Sequence, residues 1–322
     1  MSNFVECVES TDPFLQSNIF SDWKQDYTQL SCGAFKGGVL RRSVGNVQVF
    51  REWMNQSIEQ KAAANEDVTL IGVKLHKSTS SFQNRELTES SLFFLPAGDE
   101  SRFNAAGQSD LIGVTVDSSF LDSLSFDLYG VSAQSLTNDN PVIRCASEQV
   151  SMFASLLLNS LCSAIRSPKS MEANYSIEQL PEDLVVTALQ ALKGSNSKVG
   201  SRPHDYKVQR NIIDRARLFA LEHPTSNPTV AGLCEHLGMS RRGLYDVFMK
   251  LLGVNPSTYL RQLRLHGVRK DILLEPHSSV TEIAFRWGFW HLGVFSQYYK
   301  EQFGELPSKT QRNPPCLKSM SW

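Results

Sequence analysis

The stretch AFRWGFWHLGVFSQYYKEQFG, residues 284–304, breaks an aromatic-rich helical pattern at Gly288 and resumes it at once. A glycine inside such a pattern marks a helix end or a turn. The arrangement occurs fifty residues earlier as CEHLGMSRRGLYDVFMKLLG, 234–253. Val230, Leu233, Cys234, Leu237 and Gly238 align with Val280, Ile283, Ala284, Trp287 and Gly288. One extra residue then intervenes in the second copy, after which Leu244, Phe248 and Gly253 align with Phe295, Tyr299 and Gly304. Each copy reads as helix, tight turn, helix, with a small residue, Cys234 or Ala284, where the first helix must approach the second. This is the helix-turn-helix unit.

Between the copies lies NPSTYLRQLRLHGVRKDILLEP. Asn255 suits an N-cap with Pro256 at the first helical position, and Pro276 ends the run. The implied helix of roughly 19 residues spans about 28 Å, close to the roughly 34 Å between half-sites one DNA turn apart. Ser279 with Glu282 forms a capping-box pattern at the start of the second unit.

The chain has 322 residues, enough for about two domains with separate cores. Its net charge of −1 conceals an asymmetry: from residue 201 onward there are 17 Lys+Arg against 10 Asp+Glu, which leaves 15 against 23 upstream. A basic half fits a polyanion, since Lys and Arg contacts to phosphate supply most non-specific affinity for DNA; taken alone, the charge is better read as a solvated surface. The N-terminus has early acids and no apolar core of a signal peptide, and no apolar run is long enough to cross a membrane. Six scattered cysteines form no CxxC or metal-ligand spacing, so reduced, mostly buried thiols in a cytoplasm are expected.

Segments 68–76, 91–100 and 110–117 read as strands, with Ile71, Val73 and Leu75 alternating as a half-buried strand should and Pro96-Ala97-Gly98 as a turn. Two helical stripes follow: Val150, Phe153, Leu157, Leu161 and Ile165, then Leu184, Val185, Ala188, Leu189 and Leu192. Each stripe suits packing on the sheet or against a second subunit. GSNSKVGSRPH, 194–204, has linker composition. Asp205 is then expected to cap a helix with Val208, Ile212, Ala216 and Phe219 on one face. The expected fold class is α+β: a β-rich, cupin-like N-terminal domain with helices at 1–193, a linker at 194–204, and an all-α domain with two helix-turn-helix subdomains at 205–322.

The two unequal units, HLGMSRRGLYDVF with GVNPSTYLRQLRL and IAFRWGFWHLGVFSQYYKEQFGELPSK, resemble the AraC/XylS family of bacterial transcription regulators over about residues 205–312. Val268 departs from the Ala usual in the family's linker helix, and Leu292 and Gly293 stand where polar residues are common. TQLSCGAFKGGVLRRSVGNVQVFREW, 28–53, and GFWHL, 288–292, resemble the ethanolamine-operon regulator. That likeness implies a regulatory N-terminal domain; no effector-binding residue is carried over and no cofactor is assigned.

In the first recognition helix, Ser240 is the expected N-cap. Leu244, Val247, Phe248 and Leu251 face the core, leaving Arg241, Arg242, Tyr245 and Asp246 for DNA. Arg bonds bidentately to guanine, Tyr reaches phosphate or a thymine methyl, and Asp accepts from cytosine N4, although Asp246 equally suits holding a neighbouring Arg. In the second helix Phe295, Tyr299 and Phe303 are core, and Ser296, Gln297 and Lys300 remain, with His291 as a cap or phosphate contact. Trp287, Phe289 and Trp290 are expected in the core. Arg264 and Arg269 on the linker helix suit phosphate contacts or bracing.

Catalysis finds no support: there is no GxSxG, P-loop or dinucleotide fingerprint, and the first 200 residues hold only His76 for a metal. The expectation is a cytoplasmic activator that binds double-stranded promoter DNA, contacts RNA polymerase, and is controlled through its N-terminal domain by a small molecule or by homodimerisation. A protein-interaction or sensor module acting without direct promoter binding is the alternative.

Overall fold

The computed structural model describes residues 4–20, 23–63, 65–166, 171–194, 203–222, 224–226 and 228–319. The chain opens with β1 (Phe4–Ser10), α1 (Pro13–Ser17), β2 (Lys24–Gln29), β3 (Gly37–Val44), β4 (Val47–Met54), β5 (Ile58–Ala63) and β6 (Val68–Lys74). There follow β7 (Thr79–Phe82), β8 (Arg85–Glu86), β9 (Ser91–Leu95), β10 (Glu100–Ala106) and β11 (Ser109–Asp117). Next come α2 (Ser118–Tyr129), α3 (Ala133–Leu136), β12 (Val142–Arg144), α4 (Ser147–Arg166) and α5 (Met171–Lys193). The C-terminal half contains α6 (Pro203–Glu222), α7 (Val230–Leu237), α8 (Arg241–Leu252), α9 (Pro256–Leu274), α10 (Val280–Arg286), α11 (Leu292–Phe303), α12 (Pro307–Arg312) and β13 (Lys318–Ser319).

The strands form two antiparallel sheets, ordered β12-β9-β6-β11-β4-β3-β1-β13 and β2-β5-β10-β7-β8. Phe50, Leu70, Phe93 and Leu111 from the larger sheet meet Phe82 and Phe103 from the smaller one in a common core. On the outer face of the larger sheet, Val49, Ile71, Val73 and Ile112 pack against Phe153, Leu157, Leu161, Leu184 and Leu189 of α4 and α5. Both helical stripes are therefore spent on the sheet, which removes their availability for a second subunit; Ile165 has no described side chain. Strand β6 is consequently covered on both faces, not half-buried as its alternation predicts. The segment 91–100 is two elements, since strand β9 ends at Leu95 and β10 begins at Glu100 beyond the Pro96 turn.

Most of the proposed linker, 195–202, lies outside the described residues. Helix α6 begins at Pro203, so Asp205 falls within its first turn instead of capping it; the side chains of Asp205 and Val208 lie outside the described set. Of the cysteines, Cys32, Cys162 and Cys316 are exposed and Cys7 alone is fully buried, against the expectation that most are buried.

The β-sandwich and the helical half share more than a boundary. Strand period places Gln25, Tyr27, Gln60, Ala62 and Phe103 of the smaller sheet on its inner face, and Asp26, Thr28, Glu59, Lys61 and Arg102 on its outer face. The helical half docks on that outer face. Leu30, just past β2, joins the core made by Ile213, Leu233, Phe248 and Tyr259. Strand β13 pairs with β1, tying the end of the helical half to the larger sheet.

Candidate nucleic-acid interface

Each unit is closed by the chemistry its sequence announces. Thr229 caps α7, and Gly238, in the left-handed region at φ 64°, ends it. The Ser240 hydroxyl accepts from the Gly243 N–H at 3.2 Å and starts α8. In the second unit Ser279 and Glu282 form the reciprocal capping box, and Gly288 turns the chain at φ 73°. Asn255 accepts from Thr258 N at 2.9 Å and Pro256 opens α9, which runs the 19 residues expected.

Helix α8 buries Leu244, Val247, Phe248 and Leu252. Arg241, Arg242, Tyr245 and Asp246 are all exposed, Tyr245 to 49%. Ser240 is exposed but its hydroxyl is committed to the cap. Helix α11 buries Phe295, Tyr299 and Phe303 and exposes Gln297 and Lys300, with Ser296 half-buried. Gln297 donates to Glu301 at 2.9 Å. His291 stands at the N-cap position, exposed and without a side-chain capping bond, so the capping role is not seen.

The aromatic trio divides. Phe289 is buried against Phe295, and Trp287 is half-buried, donating Nε1–H to Asp271 at 2.8 Å. It packs so closely on Gly267 that a Cβ there would run into the indole. Trp290 contradicts the core expectation: it is 59% exposed, stacked on Phe285. With Leu292 at 36% and Val294 at 49%, it makes the start of α11 an apolar surface.

Arg264 and Arg269 are buried, which fits bracing rather than phosphate contact. Arg264 lies over the Phe289 ring at 4.6 Å, and burial, with Arg261 adding repulsion, pushes its pKa down to about 10. Arg269 pairs with Asp12 and bonds Glu305 at 3.1 Å and Tyr299 at 3.2 Å.

Asp12 belongs to a second set of residues that helical and strand periods do not reveal, because their partners are distant in sequence. Arg217 of α6 pairs with Asp26 and donates to Thr28 at 2.9 Å. Burial works against its charge, yet Tyr259, Asp26 and Glu59 hold its pKa above the ordinary arginine value. Glu59 accepts from Tyr259 at 2.7 Å and pairs with Arg102 at 3.2 Å, while Asp214 receives Arg102 and Lys61. Gln262 donates to Leu30 O at 2.7 Å, and Gln302 to Gln29 O at 2.8 Å. The Gln29 N–H donates to His266 Nε2 at 2.9 Å, which requires a neutral imidazole acceptor; burial pushes that imidazole down to about 4. These bonds fasten α6, α9 and α11 to the smaller sheet, while the described DNA candidates on α8 and α11 stay exposed.

Among the described residues no group of three His, Cys, Asp or Glu is placed to hold a metal, and no helix is long and apolar enough to cross a membrane.

Comparison with known proteins bears on this geometry. Residues 233–313 match the family model of a helix-turn-helix domain. A XylDLEGF operon transcriptional activator of Pseudomonas putida is 33% identical over 175 residues, 51% of this chain and 49% of that protein. A probable thc operon regulatory protein of Rhodococcus erythropolis is 37% identical over 122 residues, 35% of this chain and 37% of its own length. The chain thus spans half or less of the length of these relatives. Among solved structures, the AraC-like transcriptional activator CuxR aligns with 82% of this chain and 94% of its own, at 14% identity and a TM-score of 0.40.

Proposed function

We propose that the chain is a sequence-specific DNA-binding transcription regulator of the AraC/XylS type, acting as an activator on double-stranded promoter DNA in the cytoplasm. The observation that carries this reading is the pair of capped helix-turn-helix units, joined by one 19-residue helix, whose polar candidates remain exposed while the β-sandwich docks elsewhere. Arg241, Arg242, Tyr245 and Asp246 of α8 are the base and phosphate contacts of the first unit. Ser296, Gln297, Lys300 and His291 serve the second, Ser240 sets the helix start, and Arg264 and Arg269 brace the frame. The match of residues 233–313 and the named functions of the relatives support this reading over an enzyme.

The N-terminal 1–193 is the regulatory domain, responding to a small molecule or to homodimerisation, and its two-sheet core, separate from the helix-turn-helix units, supports that role. With both helical stripes spent on the sheet, a homodimer would use other surfaces, such as the exposed Phe126, Leu128 and Met152. RNA polymerase is the partner an activator requires. The test is retention of specific DNA by the purified chain: affinity should fall steeply with salt, as phosphate contacts demand, and footprints should cover two adjacent half-sites. Equal retention of unrelated sequences, or none at low salt, would favour a protein-interaction module.

A further inference from the structure

The two sheets enclose a cavity of about 40 Å³, room for a few heavy atoms, walled by Phe20, Trp23, Phe50, Phe82, Phe93 and Phe103. Of the five described polar residues in this wall, Gln25, Glu52, Gln60, Ser101 and Thr115, two carry under-used acceptor oxygens. Glu52, on β4, is 2% exposed and shares a strand face with Phe50 and Met54. Gln60, on β5, is 8% exposed.

Their hydrogen bonding is lopsided. One Glu52 oxygen, Oε1, accepts from Tyr27 at 2.7 Å and from Gln16 at 3.0 Å. The other, Oε2, has only a long 3.5 Å contact from Gln60 Nε2, whose stronger bond, 2.9 Å, goes to Tyr27. Gln60 Oε1 is buried with no partner. Two acceptor oxygens thus belong to cavity-lining residues whose donors are already used. Among the described residues no Lys or Arg lines the cavity, so none of them sets a cation opposite Glu52, and burial raises its pKa above the ordinary carboxylate value. A buried carboxylate without a counter-charge is costly unless a cation or donor meets it.

We infer that this cavity binds a small apolar amine in its ammonium form, with the N–H donors on Glu52 and Gln60 Oε1 and the hydrocarbon among the phenylalanines. The inference rests on the reading of 1–193 as a regulatory domain and names its ligand class. The ammonium supplies the missing charge and donors together, and the ring faces add cation–π attraction. A carboxylate ligand meets Glu52 with like charge and finds no basic residue; a hydrocarbon leaves both oxygens unsatisfied. Trp23 and Gln25 are partly exposed at the edge of the lining and mark the entry. The opposite face of β2 and β5 carries Asp26, Glu59 and Lys61 to the helical half, so occupancy of the cavity presses on the strands that hold the DNA-binding units.

The test is calorimetric titration of the full chain with ethylamine, neutral ethanol and anionic acetate, probes small enough for a cavity of this size, repeated on Glu52→Gln. The amine should bind at least about tenfold tighter than either analogue, the scale of a charge-assisted hydrogen bond. Glu52→Gln should abolish that preference while changing the affinity for the alcohol by less than about twofold. Carboxylate binding as tight as that of the amine, no binding by any of the three, or an amine preference that survives in Glu52→Gln would overturn the assignment. If Glu52→Gln does not fold, the ranking on the unaltered chain decides alone. Promoter retention on the same preparations separates the two readings: retention without amine binding sinks the ligand class only, and amine binding without retention sinks the regulator.

Discussion

The helical half has two faces built from the same residue types with opposite fates. On the docked face Arg217 and Arg269 are buried, each held by carboxylates of the β-sandwich, Asp26 and Glu59 for one, Asp12 for the other. On the free face Arg241 and Arg242 are exposed at the start of α8. Part of the charge asymmetry between the halves is therefore complementary charge across a seam, and only the remainder is available to a polyanion. An arginine count does not measure a DNA footprint; the carboxylates facing each arginine must be subtracted first.

The largest effect expected from this contrast is on stability. Arg269→Ala leaves Asp12, fully buried, without its cation, and breaking a buried pair costs about 3 to 5 kcal/mol. Denaturant unfolding should register that loss, whereas Arg242→Ala should unfold at an unchanged midpoint. If Arg269→Ala instead kept its midpoint and flattened the salt dependence of DNA binding, the bracing assignment would be wrong.

Next in size is a pH effect confined to the docked face. The folded pKa of His266, about 4, lies below its ordinary 6.5, so the fold favours the neutral ring. Its contribution is fully present above 6.5 and is lost as pH falls toward 4, because the unfolded chain then binds the proton first. Between about pH 7.5 and about pH 4.5 this amounts to about 2 kcal/mol or more. His266→Gln keeps an acceptor for the Gln29 N–H and cannot titrate. Urea midpoints for the two proteins at both pH values should therefore diverge in acid, and parallel curves would refute the assignment.

On the free face, Arg242→Ala should weaken binding to a mapped operator by about 1 to 3 kcal/mol, the value of a bidentate base contact. Gln297→Ala should cost less, since the amide of Gln297 is already engaged with Glu301. Equal losses would mean that α11 reads bases as strongly as α8.

Sequence and structure part company along the same line. What rests on local chemistry was legible: the caps Ser240, Asn255 and Ser279, the turns at Gly238 and Gly288, and the length of α9 all follow from neighbours within four residues. The seam was not, because Asp12 and Arg269 stand 257 residues apart and no period links them. Glu52 offered a fainter signal, a carboxylate on the strand face shared by Phe50 and Met54. Trp290 misled because its spacing matches its buried neighbours; its ring instead stacks on Phe285 at the edge of the unit.

The smallest expected effect concerns that exposed edge. Recognition helices touch bases with their N-terminal residues, and α11 presents Leu292 and Val294 there beside Trp290, with no atom within 4 Å of a Cβ at Gly293. Apolar side chains in the major groove contact the thymine methyl group, so the second half-site should be read through methyls where the first is read through hydrogen bonds. Replacing thymine by deoxyuridine removes that methyl and leaves every hydrogen-bonding group in place. Each critical substitution in the second half-site should then cost up to about 0.8 kcal/mol, the value of one buried carbon, with the salt slope unchanged because no phosphate contact is lost. The same deoxyuridine change should have no further effect on a Leu292→Ser, Val294→Ser protein. Insensitivity of the unaltered protein to the missing methyls, or a shift in salt slope, would assign the second unit to phosphate contacts alone and leave sequence reading to α8.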